Sequence, residues 1–122
     1  SALGADVTVA ARKSAARAWA QEGGCRAVST ENLLSVCKNF QVIINTVPEL
    51  LLQRAVLETL SAKTLVVDLA SAPGGVDHEA AKHLGIPEIF APGLPAKYVP
   101  VSSGQFIAQT VLAIVEERGI FL

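Results

Sequence analysis

Four segments that follow apolar runs of this sequence carry charged, polar or glycine residues, and they are the segments best suited to binding a small anionic molecule. They are Arg12, Lys13 and Ser14; Asn45, Thr46, Val47 and Pro48; Ala70, Ser71, Gly74 and Gly75; and the loop from Ala91 to Pro100. The guanidinium of an arginine binds two phosphate oxygens at once and stacks on aromatic rings. Glycines let the backbone pass close to a ligand. The four segments predict one shared binding site if the fold brings them together.

The loop from Ala91 to Pro100 is predicted to bind a carboxylate group of a small acid. Its prolines give it a rigid shape, and Lys97 is its one charged residue. Ser102 and Ser103 follow at the start of a predicted helix, where anions are favoured. A structural loop with one solvated lysine is the alternative interpretation.

Apolar strands alternate with amphipathic helices along the chain. Strands are predicted near residues 7–11, 25–28, 41–47, 64–69 and 86–90, and helices near 13–22, 30–37, 50–60, 77–84 and 102–118. Trp19 is expected to face the core, Asp77 to cap a helix and Gly85 to end that helix. Continuously apolar strands are buried on both faces, which predicts an α/β fold with a doubly wound parallel sheet.

Right-handed crossovers place the carboxyl ends of parallel strands at one edge of the sheet, where ligands bind. In a dinucleotide-binding sheet, Arg12 would meet the adenosine ribose, and an arginine there accommodates the 2′-phosphate of NADP. The sequence therefore predicts NADP, with NAD possible, and a solvated charge is the alternative. Asn45 to Pro48 would lie beside the ribose and pyrophosphate, or simply cap a strand. Asp68, in an apolar strand, would need a partner if buried, and would either support its loop or act in the chemistry.

A glycine-rich G-x-G-x-x-G turn, which binds the pyrophosphate in such domains, is missing from the sequence. Residues 1–6 resemble the tail of a helix and its glycine stop. We therefore expect residues 1–122 to be a partial Rossmann-like domain of a longer chain, without its first strand and glycine-rich loop. A missing middle strand would expose apolar edges, so an isolated piece is expected to dimerise or aggregate.

Composition excludes several functions. A formal net charge of -1 without a basic run argues against nucleic-acid binding. The apolar runs are too short to span a membrane, and the first residues do not resemble a signal peptide. Cys25 and Cys37 lack the spacing of a zinc or redox site, so two reduced thiols are expected and no metal is predicted. His78 and His83 are expected at the surface.

Four blocks, in order along nearly the whole chain, resemble the A subunits of bacterial dipicolinate synthases. They are VTVAAR at 7–12, NTVP at 45–48, DLASAPGGVD at 68–77 and APGLPAK at 91–97. The last two blocks are the most specific, although Ala96 stands where we expect glycine in that family. The first two are also similar to shikimate dehydrogenases.

This resemblance implies the C-terminal, nucleotide-binding half of a longer oxidoreductase. Such an enzyme forms pyridine-2,6-dicarboxylate from a dihydrodipicolinate-type precursor of the lysine pathway, with NADP as hydride acceptor. It acts in the cytoplasm of the mother cell during sporulation, and its partner is a flavoprotein-like B subunit. The catalytic residues remain unassigned, a homo-oligomer is possible, and this piece alone is expected to be inactive.

Two alternatives stay open at this point. One is the cofactor domain of another NAD(P)-dependent dehydrogenase, of the shikimate or D-2-hydroxyacid type. The other is a non-catalytic domain that senses a dinucleotide.

Overall fold

Six strands and four helices make up the described part of the computed structural model, which covers residues 6–91 and 110–114. The strands are β1 (Asp6–Ala11), β2 (Arg26–Ser29), β3 (Val42–Asn45), β4 (Leu65–Asp68), β5 (Glu88–Phe90) and β6 (Thr110–Ile114). The helices are α1 (Ser14–Glu22), α2 (Leu33–Val36), α3 (Arg54–Leu57) and α4 (His78–Leu84), and 3-10 turns flank α2 at Thr30–Asn32 and Cys37–Asn39.

All six strands lie parallel in a single sheet with the order β2-β1-β6-β3-β4-β5. Successive side chains of each strand point to opposite faces. On one face, Ile43 and Val66 pack with residues of α2, α3 and α4, whereas Ile44 and Val67 pack with Val9 and α1 on the other. The predicted α/β fold with a parallel sheet buried on both faces is confirmed.

Residues 110–114 form a strand, so the helix predicted over 102–118 is wrong there. β6 pairs in parallel with β1 on one side and with β3 on the other. Pairing on both sides satisfies the backbone of this apolar segment, and the spacing of its apolar residues could not distinguish a strand from a buried helix. The rest of the predicted helix, with Ser102 and Ser103, lies outside the described residues.

The middle of the sheet is filled by β6, so the gap expected from a missing strand is not present among the described strands. β6 covers the edges of β1 and β3 that were expected to be exposed in the middle of the sheet. Association of the isolated chain stays a prediction that light scattering would test. Its remaining structural basis is the two outer strands, β2 and β5.

Helix α1 differs from expectation in the side chain that it buries. Trp19 is 50% exposed, and Ala16 and Ala20 face the sheet instead. Alanines four positions apart share one helix face, and their small size lets α1 lie close to the sheet. The signals of α4 are confirmed, because the Asp77 carboxylate accepts a hydrogen bond from the Ala80 N–H and Gly85 ends the helix with a φ of 73°.

The two thiols differ in accessibility, which gives a testable prediction. Cys37 is fully buried, and burial raises its pKa to about 12, whereas Cys25 is partly exposed. Because the thiolate is the reactive form, we expect a maleimide to label Cys25 in the native chain and Cys37 only after unfolding. Mass spectrometry would count the labels. A native Cys25→Ser chain that still takes up label quickly would contradict this.

Among the helices within residues 6–91 and 110–114, none is long and apolar enough to cross a membrane.

Candidate functional site at the carboxyl edge of the sheet

The carboxyl ends of β1, β3, β4 and β5 lie along one edge of the sheet because these strands are parallel. This edge brings together predicted site residues from three segments, namely Arg12, Lys13 and Ser14; Asn45, Thr46, Val47 and Pro48; and Ala70, Ser71, Gly74 and Gly75. Lys97, Ser102 and Ser103 lie outside the described residues. The described edge therefore contains every predicted cofactor residue and none of the predicted substrate residues.

A buried pair, Asn45 and Asp68, forms the centre of this edge. The two residues are register partners on β3 and β4, and neither is exposed to solvent. The Asn45 side-chain amide donates to the Asp68 carboxylate over 3.0 Å and to the Val47 carbonyl over 3.0 Å. The Val47 N–H returns a hydrogen bond of 3.2 Å to the Asn45 amide oxygen. Asn45 thus ties the loop after β3 to the strand end of β4.

The Asp68 carboxylate also holds the loop after β4. The N–H groups of Ala70 and Gly75 donate to it over 3.3 Å and 3.0 Å, one to each oxygen. A buried carboxylate needs such donors, because without them its desolvation would be costly. Of the two roles left open by the sequence, the structure supports that of holding the loop.

Gly74 and Gly75 pack directly against this pair. A Cβ atom at Gly74, where φ is 87°, would collide with the Asp68 carboxylate. A Cβ atom at Gly75 would collide with the Asn45 side-chain amide and lie 2.6 Å from the Val47 carbonyl oxygen. Packing against Asp68 and Asn45 is therefore enough to require glycine at both positions. Contact of the two glycines with a ligand stays a prediction.

Arg12 lies at the surface just after β1. Its guanidinium is 3.6 Å from the carboxylate of Glu49, and both side chains are mostly exposed, at 65% and 59%. Exposed pairs of this kind contribute at most about 1 kcal/mol to stability. Glu49 could not be predicted as a site residue, because its distance from Arg12 along the chain gives no sign of the contact.

Arg17 is a second residue of this edge that was not predicted from the sequence. From α1, its guanidinium donates to the carbonyl oxygens of Ala11 and Arg12, each over 2.8 Å. These two bonds fix the turn that carries Arg12 out of β1. Its position one turn into the helix after a strand is the only sequence signal that could have indicated this role.

Thr46 joins the middle strand to the same edge. Its N–H and its hydroxyl both donate to the Ile114 carbonyl at the end of β6, over 2.9 Å and 2.8 Å. Val47 is partly buried and Pro48 is exposed. The segment after β3 is thus held at Asn45, Thr46 and Val47, and Pro48 is open to solvent.

His78 was expected at the surface, and the structure places it in the site instead. Its ring is 34% exposed and lies between Asp68 of β4 and Glu88 of β5. His83, on the same helix, is exposed as expected. The sequence signal was weak, since His78 is only the first helical residue after the Asp77 cap.

These features define an α/β protein with a candidate ligand site at the carboxyl edge of a parallel sheet. The chain is homologous to the A subunit of dipicolinate synthase. It is 40% identical over 116 residues to that protein from Bacillus subtilis (strain 168), a match that covers 95% of this chain and 39% of the relative. The chain thus spans well under half the length of this relative.

Two solved structures agree with this match. The crystal structure of the dipicolinate synthase A chain from Bacillus subtilis is 43% identical, with a TM-score of 0.74, over 85% of this chain and 35% of that one. The crystal structure of the A subunit of dipicolinate synthase from Bacillus halodurans is 38% identical, also with a TM-score of 0.74, over 85% of this chain and 36% of that one. No model of a known protein family matches the sequence.

Proposed function

We propose that this chain is the NADP-binding part of a dipicolinate synthase A subunit, an oxidoreductase that forms pyridine-2,6-dicarboxylate. The observation that carries the proposal is the 40% identity over 95% of the chain. In this proposal, residues 1–122 are part of a Rossmann-like NAD(P)-binding domain within a longer polypeptide.

The order of the strands supports a dinucleotide-binding sheet. Such sheets have the order 3-2-1-4-5-6, with the first strand in the middle. The observed order β2-β1-β6-β3-β4-β5 corresponds to this pattern strand by strand. In this correspondence β6 has the place of the first strand and β1 has that of the second. With this correspondence, Arg12 follows the second strand, which is the position that distinguishes NADP from NAD.

Residues along the edge fit an extended anionic cofactor. Arg12 would bind the 2′-phosphate, with Lys13 and Ser14 beside it. The segments Asn45–Pro48 and Ala70–Gly75 would line the ribose and nicotinamide portions. When bound, NADP would accept a hydride from the substrate, while the protein orients the two. Lys97, Ser102 and Ser103 would bind the carboxylates of the substrate, a proposal that rests on the sequence.

Charge reversal at Arg12 tests the cofactor assignment. In the full-length enzyme, we expect Arg12→Asp to weaken NADP binding at least about tenfold and to leave NAD binding nearly unchanged. The reason is that a hydrogen bond to a charged group contributes about 1.5–3 kcal/mol, and 1.4 kcal/mol corresponds to a factor of ten. Isothermal titration calorimetry with both dinucleotides measures the two affinities.

Arg26→Asp is the matched control, because Arg26 is exposed at the amino end of β2, the opposite edge of the same sheet. It should leave both affinities unchanged. An unaltered preference in Arg12→Asp would remove Arg12 from the cofactor site. Absence of NADP binding by the unaltered enzyme would refute the dinucleotide proposal itself.

The wider setting is also part of the proposal. In this proposal the partner is a B subunit of the flavoprotein-like kind, and the enzyme acts in the cytoplasm of the sporulating mother cell. The competing dehydrogenase types are distinguished by substrate, since only a dipicolinate synthase would release pyridine-2,6-dicarboxylate. A domain that only senses a dinucleotide would bind NADP and turn over none of these acids.

A further inference from the structure

His78 contacts a hydrogen-bond acceptor through each nitrogen of its ring. Nε2 lies 2.8 Å from the carbonyl oxygen of Pro73, and Nδ1 is in contact with the Glu88 carboxylate. Nε2 also lies 3.8 Å from the Asp68 carboxylate. The ring packs on Phe90, with the two ring centroids 4.5 Å apart. His78 therefore connects α4 with β4, β5 and the loop between β4 and α4.

When Glu88 is ionised, both partners of the ring accept hydrogen bonds and neither can donate one. A neutral imidazole has one N–H donor, so its second nitrogen would direct a lone pair at an acceptor. An imidazolium donates from both nitrogens and satisfies Pro73 and Glu88 together. The geometry therefore fits a charged ring, which also offsets the two negative charges of Asp68 and Glu88.

A metal ion is the competing explanation, since ligand atoms of Asp68, His78 and Glu88 all lie within 4.8 Å of one another. A histidine that binds a metal directs one lone pair at the ion and donates its other N–H to an acceptor. Here Nε2 has the Pro73 carbonyl as its acceptor, and Nδ1, the nitrogen left to bind an ion, is in direct contact with the Glu88 carboxylate, with no space for an ion between them. A proton therefore satisfies these contacts better than a metal ion does.

We propose that the charged ring of His78 is a positioning residue, which fixes the loop of residues 70–76 by joining Pro73 to Glu88 and Asp68. The inference deepens the proposed function, because this loop would line the cofactor. Asp68 holds the loop at Ala70 and Gly75, and His78 holds it at Pro73 between them. Loss of the charge should therefore release the middle of the loop and leave its two ends attached.

The direction of the pH dependence follows from the groups around the ring. Burial alone lowers the pKa of His78, but the hydrogen bond to Pro73 and the carboxylates of Glu88 and Asp68 outweigh burial and raise it above 6.5. On its own helix, the Asp77 carboxylate faces the Ala80 N–H. Because the folded pKa is raised, the stabilisation is complete below the ordinary imidazole pKa and is lost as pH rises through the folded value.

Nuclear magnetic resonance tests this directly, because the chain has only two histidines. We expect His78 to titrate above 6.5, the ordinary imidazole value, and Glu88→Gln to move the His78 titration to lower pH. The amide signal of Gly74 should follow the His78 titration and lose that dependence in His78→Gln, which retains an amide donor but cannot be charged. His83→Gln, the same substitution on the exposed part of α4, should change none of these signals.

Activity provides a second readout in the full-length enzyme. We expect His78→Gln to lower kcat/KM by about a hundredfold, since a misplacement of about 1 Å can cost that much. In the unaltered enzyme, we expect kcat/KM to decline at high pH as His78 loses its charge. This decline should be absent in His78→Gln, whereas His83→Gln should keep the profile of the unaltered enzyme. Full rescue of both the rate and the profile by the glutamine would indicate a role that needs no charge and would overturn the inference.

Failure of this inference differs from failure of the proposed function. If the unaltered enzyme neither binds NADP nor makes product, the proposed function fails, while the titrations of His78 and the Gly74 amide still decide the positioning role. The inference is overturned if His78 titrates no higher than an ordinary imidazole, or if the Gly74 amide signal does not follow its titration. It is also overturned if zinc chloride shifts the His78 signals and abolishes the titration, since the three residues would then hold a metal.

Discussion

Asp68→Ala should lower the free energy of unfolding by about 3–6 kcal/mol, the largest effect that we expect from any single substitution in the described chain. Three buried donors would lose their acceptor, namely the Asn45 side-chain amide and the N–H groups of Ala70 and Gly75. Each buried donor left unsatisfied costs about 1–3 kcal/mol, less where the site can relax. Whole domains are stable by only about 5–15 kcal/mol, so the variant should lose a large part of its stability.

Urea unfolding followed by circular dichroism would measure this loss. Asp68→Asn retains the shape of the side chain and one carbonyl oxygen, so it should cost clearly less than Asp68→Ala. Asp77→Ala removes one hydrogen bond, to the Ala80 N–H at the partly exposed start of α4. The loss of such a cap costs about 1 kcal/mol. If Asp68→Ala proved no more costly than Asp77→Ala, Asp68 would not be the centre of the edge.

Gly75→Ala should destabilise the chain by about 3 kcal/mol or more, although it adds a single methyl group. That group would meet the Asn45 side-chain amide and two backbone oxygens, of Val47 at 2.6 Å and of Glu49 at 2.8 Å. Overpacking of a tight interior costs about 1–3 kcal/mol, and backbone atoms can yield less than the ends of flexible side chains. The loop after β3 would have to move away from the loop after β4.

Gly23→Ala is the control, since a Cβ atom there would have its nearest neighbour, the Ala20 carbonyl oxygen, at an ordinary 3.5 Å. It should change the free energy of unfolding by less than about 1 kcal/mol. The same urea titration applies to both variants. Equal midpoints for the two alanine variants would show that the loops around Asn45 have room to spare, contrary to the structure. A further test is NADP affinity, which we expect to fall only in Gly75→Ala.

The sequence by itself determined the features that depend on neighbours along the chain. Strands β1, β3 and β4 are apolar runs buried on both faces, and their carboxyl ends follow from parallel pairing. The cap of Asp77 and the left-handed Gly85 were predicted because each signal acts within one helical turn. The convergence of the segments after β1, β3 and β4 on one edge was likewise predictable, since it needs only the order of the elements.

Only the tertiary structure decided which distant residues meet. The strand at residues 110–114 is set by pairing with β1 and β3, and the contact of Thr46 with Ile114 joins residues 68 positions apart. Trp19 stays outside because the sheet accepts the small face of α1. His78 enters the site because α4 directs its first residue between Asp68 and Glu88. These outcomes depend on the packing of whole elements, which local propensity does not encode, and they determine the chemistry of the edge.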